Sequence, residues 1–96
     1  MKSKIKTIET NTGKIFKIEL PSNPTTGYSW QPVFNKDDFI LLSNYFQTES
    51  ELIGAGSLEI FEFKSKKTGR LKIKMLYKRA WEKLIEKELD YDIIST

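Results

Sequence analysis

The sequence predicts an all-β sandwich. Short runs of alternating apolar and polar residues follow one another along its 96 residues, and turn-forming residues separate them. About seven such runs can be distinguished, and no segment has the pattern of a convincing long helix. The length is that of one domain, so we assign residues 1–96 to a single domain. The number and spacing of the runs are typical of an immunoglobulin-like β-sandwich.

The first two runs flank a turn at residues 11–13, Asn-Thr-Gly. A short β-compatible stretch around residues 5–8 precedes this turn. Residues 14–20 follow it and alternate with a period near two, which places three apolar side chains on one face: Phe16, Ile18 and Leu20. We expect these two runs to form either a hairpin or a strand corner.

Proline and glycine mark the next boundaries along the chain. Residues 21–27 contain two prolines and a glycine and are predicted to form a loop. Residues 28–31 then alternate large aromatic and polar side chains, and we expect this strand to end at Pro32. Residues 35–50 fit an irregular strand, although Asp37-Asp38 could also cap a helical turn.

The C-terminal third contains a predicted hairpin and one conflict of patterns. Residues 59–63 and 71–77 both alternate, and the polar residues 65–69 between them predict a hairpin turn. Apolar residues within 80–89 recur at helical spacing. We nevertheless predict a loop or a single helical turn there, followed by a strand over residues 87–94, because a sandwich needs its last edge paired.

The chain has neither cysteine nor histidine. A disulfide, a thiolate nucleophile and a cysteine metal site are therefore excluded, as is the usual general base near neutral pH. An enzyme that uses carboxylates remains as an alternative, with Asp37, Asp38, Glu49 or Glu51, but acids in polar loops are usually solvated. We expect no enzymatic activity and no cofactor or metal.

The net charge of +3 comes from lysines that mostly alternate with apolar residues. This pattern is typical of a solvated strand face, so we expect no nucleic-acid partner. The basic N-terminus is not followed by the apolar run of a secretory signal, and no run has membrane-spanning length. We expect a monomeric, cytoplasmic protein without membrane contact, or a secreted or vesicular one if a leader has been removed.

Three segments are richer in special residues than strand connections require. Asn23-Pro24-Thr25-Thr26-Gly27 is stiff, because its proline fixes one φ angle and its glycine permits a positive one. Gly54-Ala55-Gly56-Ser57 allows close approach of another backbone. Arg79-Ala80-Trp81 places a tryptophan among charged residues, as binding anchors often do. The simpler alternatives are an ordinary turn, a flexible hairpin tip and a tryptophan that caps the sandwich.

Taken together, these segments resemble the three motifs of the chagasin-like inhibitors of papain-family cysteine peptidases. The Asn-Pro-Thr-Thr-Gly motif is matched completely and is followed by an aromatic residue, Tyr28. The Gly-x-Gly-Gly motif is matched except that Ser57 replaces its last glycine. The Arg-Pro-Trp motif is matched except that Ala80 replaces its proline.

The resemblance implies a reversible, non-covalent, tight-binding inhibitor of papain-like cysteine peptidases, such as cathepsin L-like enzymes. By analogy with the family, Thr25 and Thr26 approach the catalytic cysteine and histidine, residues 54–57 lie along the non-primed side, and Trp81 packs on the primed side. The implied peptidase-binding residues are Asn23, Pro24, Thr25, Thr26, Gly27, Tyr28, Gly54, Ala55, Gly56, Ser57, Arg79, Ala80 and Trp81.

Two departures from the motifs carry their own expectations. Ser57 would be strained if its position needs a positive φ angle. Ala80 does not restrict the backbone as proline would, so we expect a more mobile third segment. The main alternative to an inhibitor is a non-inhibitory immunoglobulin-like module that binds or adheres to another protein, and it predicts the same fold.

Overall fold

The computed structural model describes residues 5–23, 26–48 and 57–96. Within these ranges the chain forms seven β-strands in two sheets, which confirms the predicted all-β, immunoglobulin-like sandwich. The strands are β1 (Ile5–Thr10), β2 (Ile15–Ser22), β3 (Tyr28–Phe34), β4 (Phe39–Thr48), β5 (Ser57–Ser65), β6 (Gly69–Arg79) and β7 (Lys87–Ser95).

One sheet has four strands in the order β1-β7-β6-β3, and the other has three in the order β2-β5-β4. β1 pairs with β7 in parallel, and the other pairings within both sheets are antiparallel. Among the described residues no helix is long and apolar enough to cross a membrane.

Among the described residues, one cluster of apolar side chains fills the space between the sheets. β2 alternates strictly between exposed and buried positions, so its three predicted inward residues are in the core. The Phe63 ring lies 5.2 Å from the Phe34 ring and 5.8 Å from the Phe16 ring, centroid to centroid. Edge and stacked contacts of this kind add to the burial of apolar area, which stabilises a domain without disulfides. The core residues are Phe16, Ile18, Leu20, Trp30, Phe39, Phe61, Phe63, Ile73, Met75, Tyr91 and Ile93.

The turn at residues 11–13 is a strand corner, the second of the two predicted arrangements. β1 belongs to the four-stranded sheet and β2 to the other, so the chain crosses between the layers here. Gly13 has a φ angle of +82°, which is costly for residues with a side chain. Its N–H donates to the Ser65 carbonyl over 3.0 Å and so ties the corner to β5.

The expectation that prolines bound the strands is wrong at two positions. β2 continues through Pro21 to Ser22, and β3 continues through Pro32 to Phe34. Both strands lie at the edge of their sheets, with a partner on one side only. Proline is tolerated at such an edge, because its missing N–H can face away from the ladder. The Pro21 carbonyl also accepts a hydrogen bond from Trp30 Nε1 over 3.0 Å.

The predicted hairpin of residues 59–63 with 71–77 is also wrong. β5 pairs with β2 and β4, whereas β6 pairs with β3 and β7 in the opposite sheet. The polar connection between them therefore carries the chain from one layer to the other. It ends at Gly69, whose φ angle is +118°. Alternation marks a half-buried strand equally well whichever sheet the strand joins.

The predictions for the two segments with conflicting patterns are confirmed for the described residues: the first forms a strand and the second a loop followed by a strand. Residues 39–48 form β4, an irregular strand whose register shifts between Leu41 and Ser43. The Asp37 N–H donates to Asn35 Oδ1 over 2.9 Å, so the two aspartates belong to the turn before this strand. Residues 80–86 form a loop and not a helix, and β7 follows it.

A buried carboxylate joins the two sheets beside the core tryptophan. Glu59 in β5 is only 2% exposed. Its Oε1 accepts a hydrogen bond from the Trp30 N–H over 2.9 Å, and its Oε2 accepts one from Asn44 Nδ2 over 3.2 Å. Because Trp30 lies in an edge strand, the glutamate supplies an acceptor that a further strand would otherwise provide.

We therefore expect Glu59→Ala to lower the free energy of unfolding by about 2 kcal/mol, because it leaves the buried Trp30 N–H without an acceptor. Glu62→Ala is the matched control. This residue is on the same strand, and its carboxylate, on a side chain that is 25% exposed, accepts from Ser43 Oγ over 2.7 Å and lies 3.7 Å from Lys17 Nζ. Its loss should cost less than about 1 kcal/mol. Urea denaturation measures both, and equal losses would contradict the role given to Glu59.

Candidate functional site

Three connections leave the same end of the sandwich. We call residues 23–27 the first loop, residues 49–56 the second and residues 80–86 the third. The first loop joins β2 to β3 and so brings the ends of the two sheets together. Ser57 pairs with both Ser22 and Thr48, which places the ends of the second loop beside the first. Tyr28 pairs with Arg79, which places the third loop there as well.

Part of the predicted site lies outside the described residues, namely Pro24, Thr25, Gly54, Ala55 and Gly56. Ser57 is described and is the first residue of β5. No described residue other than glycine has a positive φ angle, so the condition under which Ser57 would be strained is not met. An extended strand accepts a serine without backbone strain.

Hydrogen bonds close the described part of the first loop. The Asn23 carbonyl accepts from the Thr26 N–H over 3.2 Å and from the Thr26 hydroxyl over 2.7 Å. Gly27 follows with a φ angle of +83°, as its residue type predicts. The Asn23 N–H donates to the Tyr77 hydroxyl over 3.4 Å, so the loop is also tied to β6.

A stack of aromatic rings lies between the core and the bases of the first and third loops. The Tyr77 ring lies 5.3 Å from the Tyr28 ring at an interplanar angle of 23°, and 4.8 Å from the core residue Trp30. The Arg79 guanidinium lies 4.7 Å from the centre of the Tyr28 ring, within the range of a cation–π contact. The bases of both loops are therefore packed on each other and on the core.

Arg79 closes the start of the third loop through Glu82. Its Nη1 donates to Glu82 Oε1 over 2.9 Å, and the Glu82 N–H donates to the Arg79 carbonyl over 3.1 Å. The hydrogen bond that the Arg79 guanidinium donates to the Glu82 carboxylate raises the pKa of Arg79 above its ordinary value. Arg79 is thus engaged within the protein, and the turn around Ala80 has a closure that does not depend on proline.

Trp81 extends from the third loop to the first. Its side chain is 73% exposed, so it is not a cap on the core. The far end of its indole ring nevertheless lies over Gly27. A β-carbon on Gly27 would come within 2.7 Å of Trp81 Cη2, closer than carbon atoms tolerate. The absence of a side chain at residue 27 therefore allows the two loops to touch.

Sequence reasoning missed four residues of this end of the sandwich: Tyr77, Glu82, Leu84 and Ile85. The first two support the loops, whereas Leu84 and Ile85 are exposed apolar residues of the third loop. Their helical spacing was the only signal in the sequence, and it predicts a buried helical face and not an exposed loop. In the described part of the chain no group of three acidic side chains could hold a metal ion.

A sandwich with exposed loops braced at one end is the architecture of a protein that binds through loops on a rigid scaffold. The chain belongs to the chagasin family of peptidase inhibitors, I42, whose profile matches residues 9–94. Its class is therefore peptidase inhibitor and not enzyme.

Individual relatives agree with this assignment. The chain is 35% identical to chagasin of Trypanosoma cruzi over 81 residues, which covers 78% of this chain and 74% of chagasin. It is 32% identical to amoebiasin-2 of Entamoeba histolytica over 93 residues, 92% of this chain and 76% of that protein. A crystal structure of a cysteine protease inhibitor from Entamoeba histolytica matches with a TM-score of 0.76 and 27% identity, over 96% of this chain and 95% of that one.

The contact between Trp81 and Gly27 can be tested by substitution of Gly27, with the same substitution at Gly13 as the control. Gly27→Ala and Gly13→Ala both place a side chain at a φ angle near +80°, and each should lower the free energy of unfolding by about 1 kcal/mol. Only Gly27→Ala should also displace the Trp81 ring, because a β-carbon at Gly13 meets nothing within 4 Å.

Urea denaturation and the indole NMR signal of Trp81 measure the two effects separately. A Trp81 signal that is unchanged in Gly27→Ala would contradict the contact between the loops.

Proposed function

We propose that this chain is a reversible, non-covalent, tight-binding inhibitor of papain-like cysteine peptidases, including cathepsin L-like enzymes. Its three loops enter the active-site cleft together. The observation that carries the proposal is the exposed Trp81 ring held over Gly27, which unites two of the three motif segments in one surface. The similar Entamoeba histolytica structure of a cysteine protease inhibitor supports the choice of peptidase class.

Preorganisation gives this surface its expected affinity. Loops that are already ordered lose little conformational entropy on binding, and interfaces of about 800 Å² per partner can then be very tight. The described bases of the first and third loops meet this condition through the rings of Tyr28 and Tyr77 and the ion pair of Arg79 with Glu82. Trp81 adds a large exposed ring, which is a frequent anchor of binding energy.

The proposed roles follow the family motifs. Thr25 and Thr26 approach the catalytic cysteine and histidine, residues 54–57 lie on the non-primed side, and Trp81 lies on the primed side. The Thr26 hydroxyl already donates to the Asn23 carbonyl within the loop. We therefore propose that Thr26 contacts the peptidase through its backbone and its methyl group. Arg79 positions the loops from within, and its guanidinium is not the principal contact.

We also propose that the free inhibitor is a monomer and that one inhibitor chain binds one peptidase molecule. Sedimentation of a stoichiometric mixture tests both statements. A cytoplasmic location stays a prediction, and it determines whether the physiological peptidase shares the inhibitor's compartment or reaches it from outside.

Titration of papain and of a cathepsin L-like peptidase with the purified chain tests the function. We expect stoichiometric inhibition, weakened at least about tenfold in Trp81→Ala, which is the loss of about 1.4 kcal/mol of binding energy. Thr25→Ala and Gly56→Glu test the other two loops, and Ile15→Thr at the opposite end of β2 is the control. A folded chain that fails to inhibit at micromolar concentration would sink the proposal and favour a non-inhibitory binding module.

Ala80→Pro tests the departure in the third loop. Proline is common in the family at this position and reduces the freedom of the unbound loop. Since the ion pair of Arg79 with Glu82 already closes this turn, we expect the inhibition constant to stay the same or to fall. A clear weakening of inhibition would show that the turn needs a conformation at Ala80 that proline does not adopt.

A further inference from the structure

The third loop exposes more apolar surface than the family motif accounts for. Among the large apolar side chains of the described residues, Trp81 is the most exposed, at 73%, and Leu84 is second, at 70%. Ile85 beside it is 42% exposed. Single exposed apolar residues are common on protein surfaces, but a group of them in one short loop marks an interaction site more often.

The fold places Leu84 at the binding end. β6 ends at Arg79, which pairs with Tyr28, and the Glu86 N–H returns to the Tyr77 carbonyl over 2.8 Å. Residues 80–85 therefore project past the last paired residues of β3 and β6. Three residues span at most about 10 Å, so Leu84 lies within about 10 Å of Trp81 along the backbone.

Packing of the sandwich does not explain this leucine. Leu89, which shares the helical spacing of Trp81 and Leu84, enters β7 and packs on the core. Leu84 belongs to no core cluster in the described part of the chain. Its charged neighbours Lys83 and Glu86 are exposed as well. A polar residue would satisfy the fold equally well.

We propose that Leu84 is a second apolar anchor of the inhibitor, and that it contacts an apolar part of the peptidase surface next to the contact of Trp81. The inference rests on the proposed function. An interface of about 800 Å² per partner is roughly 30 Å across, so a peptidase that covers Trp81 also reaches Leu84. A peptidase is the occupant that continuity with Trp81 favours, because it covers both side chains without any further partner.

The test compares inhibition constants of the full chain against papain and a cathepsin L-like peptidase. Leu84→Asn replaces the apolar group by a polar group of similar size, and Leu84→Met keeps an apolar group. Ile15→Thr is the matched control, because Ile15 is a half-exposed apolar residue at the other end of the sandwich. Thermal unfolding of each variant shows whether the fold is retained.

We expect the inhibition constant to rise at least about tenfold in Leu84→Asn and to change less than about twofold in Leu84→Met and Ile15→Thr, with unchanged melting temperatures. If the wild-type chain inhibits and Leu84→Asn inhibits equally well, the anchor is refuted and the proposed function stands. If the wild-type chain does not inhibit, the proposed function itself fails. A dimer in sedimentation that Leu84→Asn abolishes, with inhibition unchanged, would assign the leucine to self-association and overturn the proposal.

Discussion

Tyr77 is the residue at which the core and the described bases of the first and third loops meet. One face of the sandwich core reaches it through Trp30, and the first loop reaches it through the stacked Tyr28 and the N–H of Asn23. The third loop returns to its backbone carbonyl through Glu86. Because one residue near the C-terminal end of β6 makes all these contacts, the bases of the two loops are positioned by the same packing that stabilises the domain.

This arrangement has an energetic consequence for binding. A loop that is ordered only on binding spends part of its contact energy on lost conformational entropy, at about 1–2 kcal/mol for each fixed backbone residue. Here the bases of two loops are ordered by contacts that exist without a peptidase. In the proposed complex, contacts of the exposed Trp81 ring would therefore contribute to affinity with little loss of conformational entropy.

The period-two alternation was sufficient to predict β2, β5 and β6 as strands and to predict the inward face of β2, which carries Phe16, Ile18 and Leu20. It could not predict which strands are partners, and the supposed hairpin between β5 and β6 failed for this reason. An alternating strand buries one face in either sheet, so the choice depends on tertiary packing. The same limit explains Pro21 and Pro32, because the position of a strand at a sheet edge is not visible in its own residues.

The sequence predicted the site best at positions where the backbone needs a conformation that few residue types adopt, such as a positive φ angle. Gly27 has the positive φ angle that its motif implies, and it also leaves room for the Trp81 ring. Leu84 was not singled out from the sequence, because its helical spacing with Trp81 is typical of a buried face, whereas the loop in which it lies leaves it exposed.

The two substitutions in the motifs now have a physical account. Ser57 begins an extended strand, where its side chain causes no strain, so the glycine of the family pattern is not needed for the backbone conformation. Ala80 lies inside a turn that Arg79 and Glu82 close by two hydrogen bonds, one between side chains and one between main-chain atoms. A charged pair three residues apart can thus take over part of the constraint that a proline would supply. The same guanidinium lies on Tyr28, so closure of the third loop and support of the first depend on one side chain.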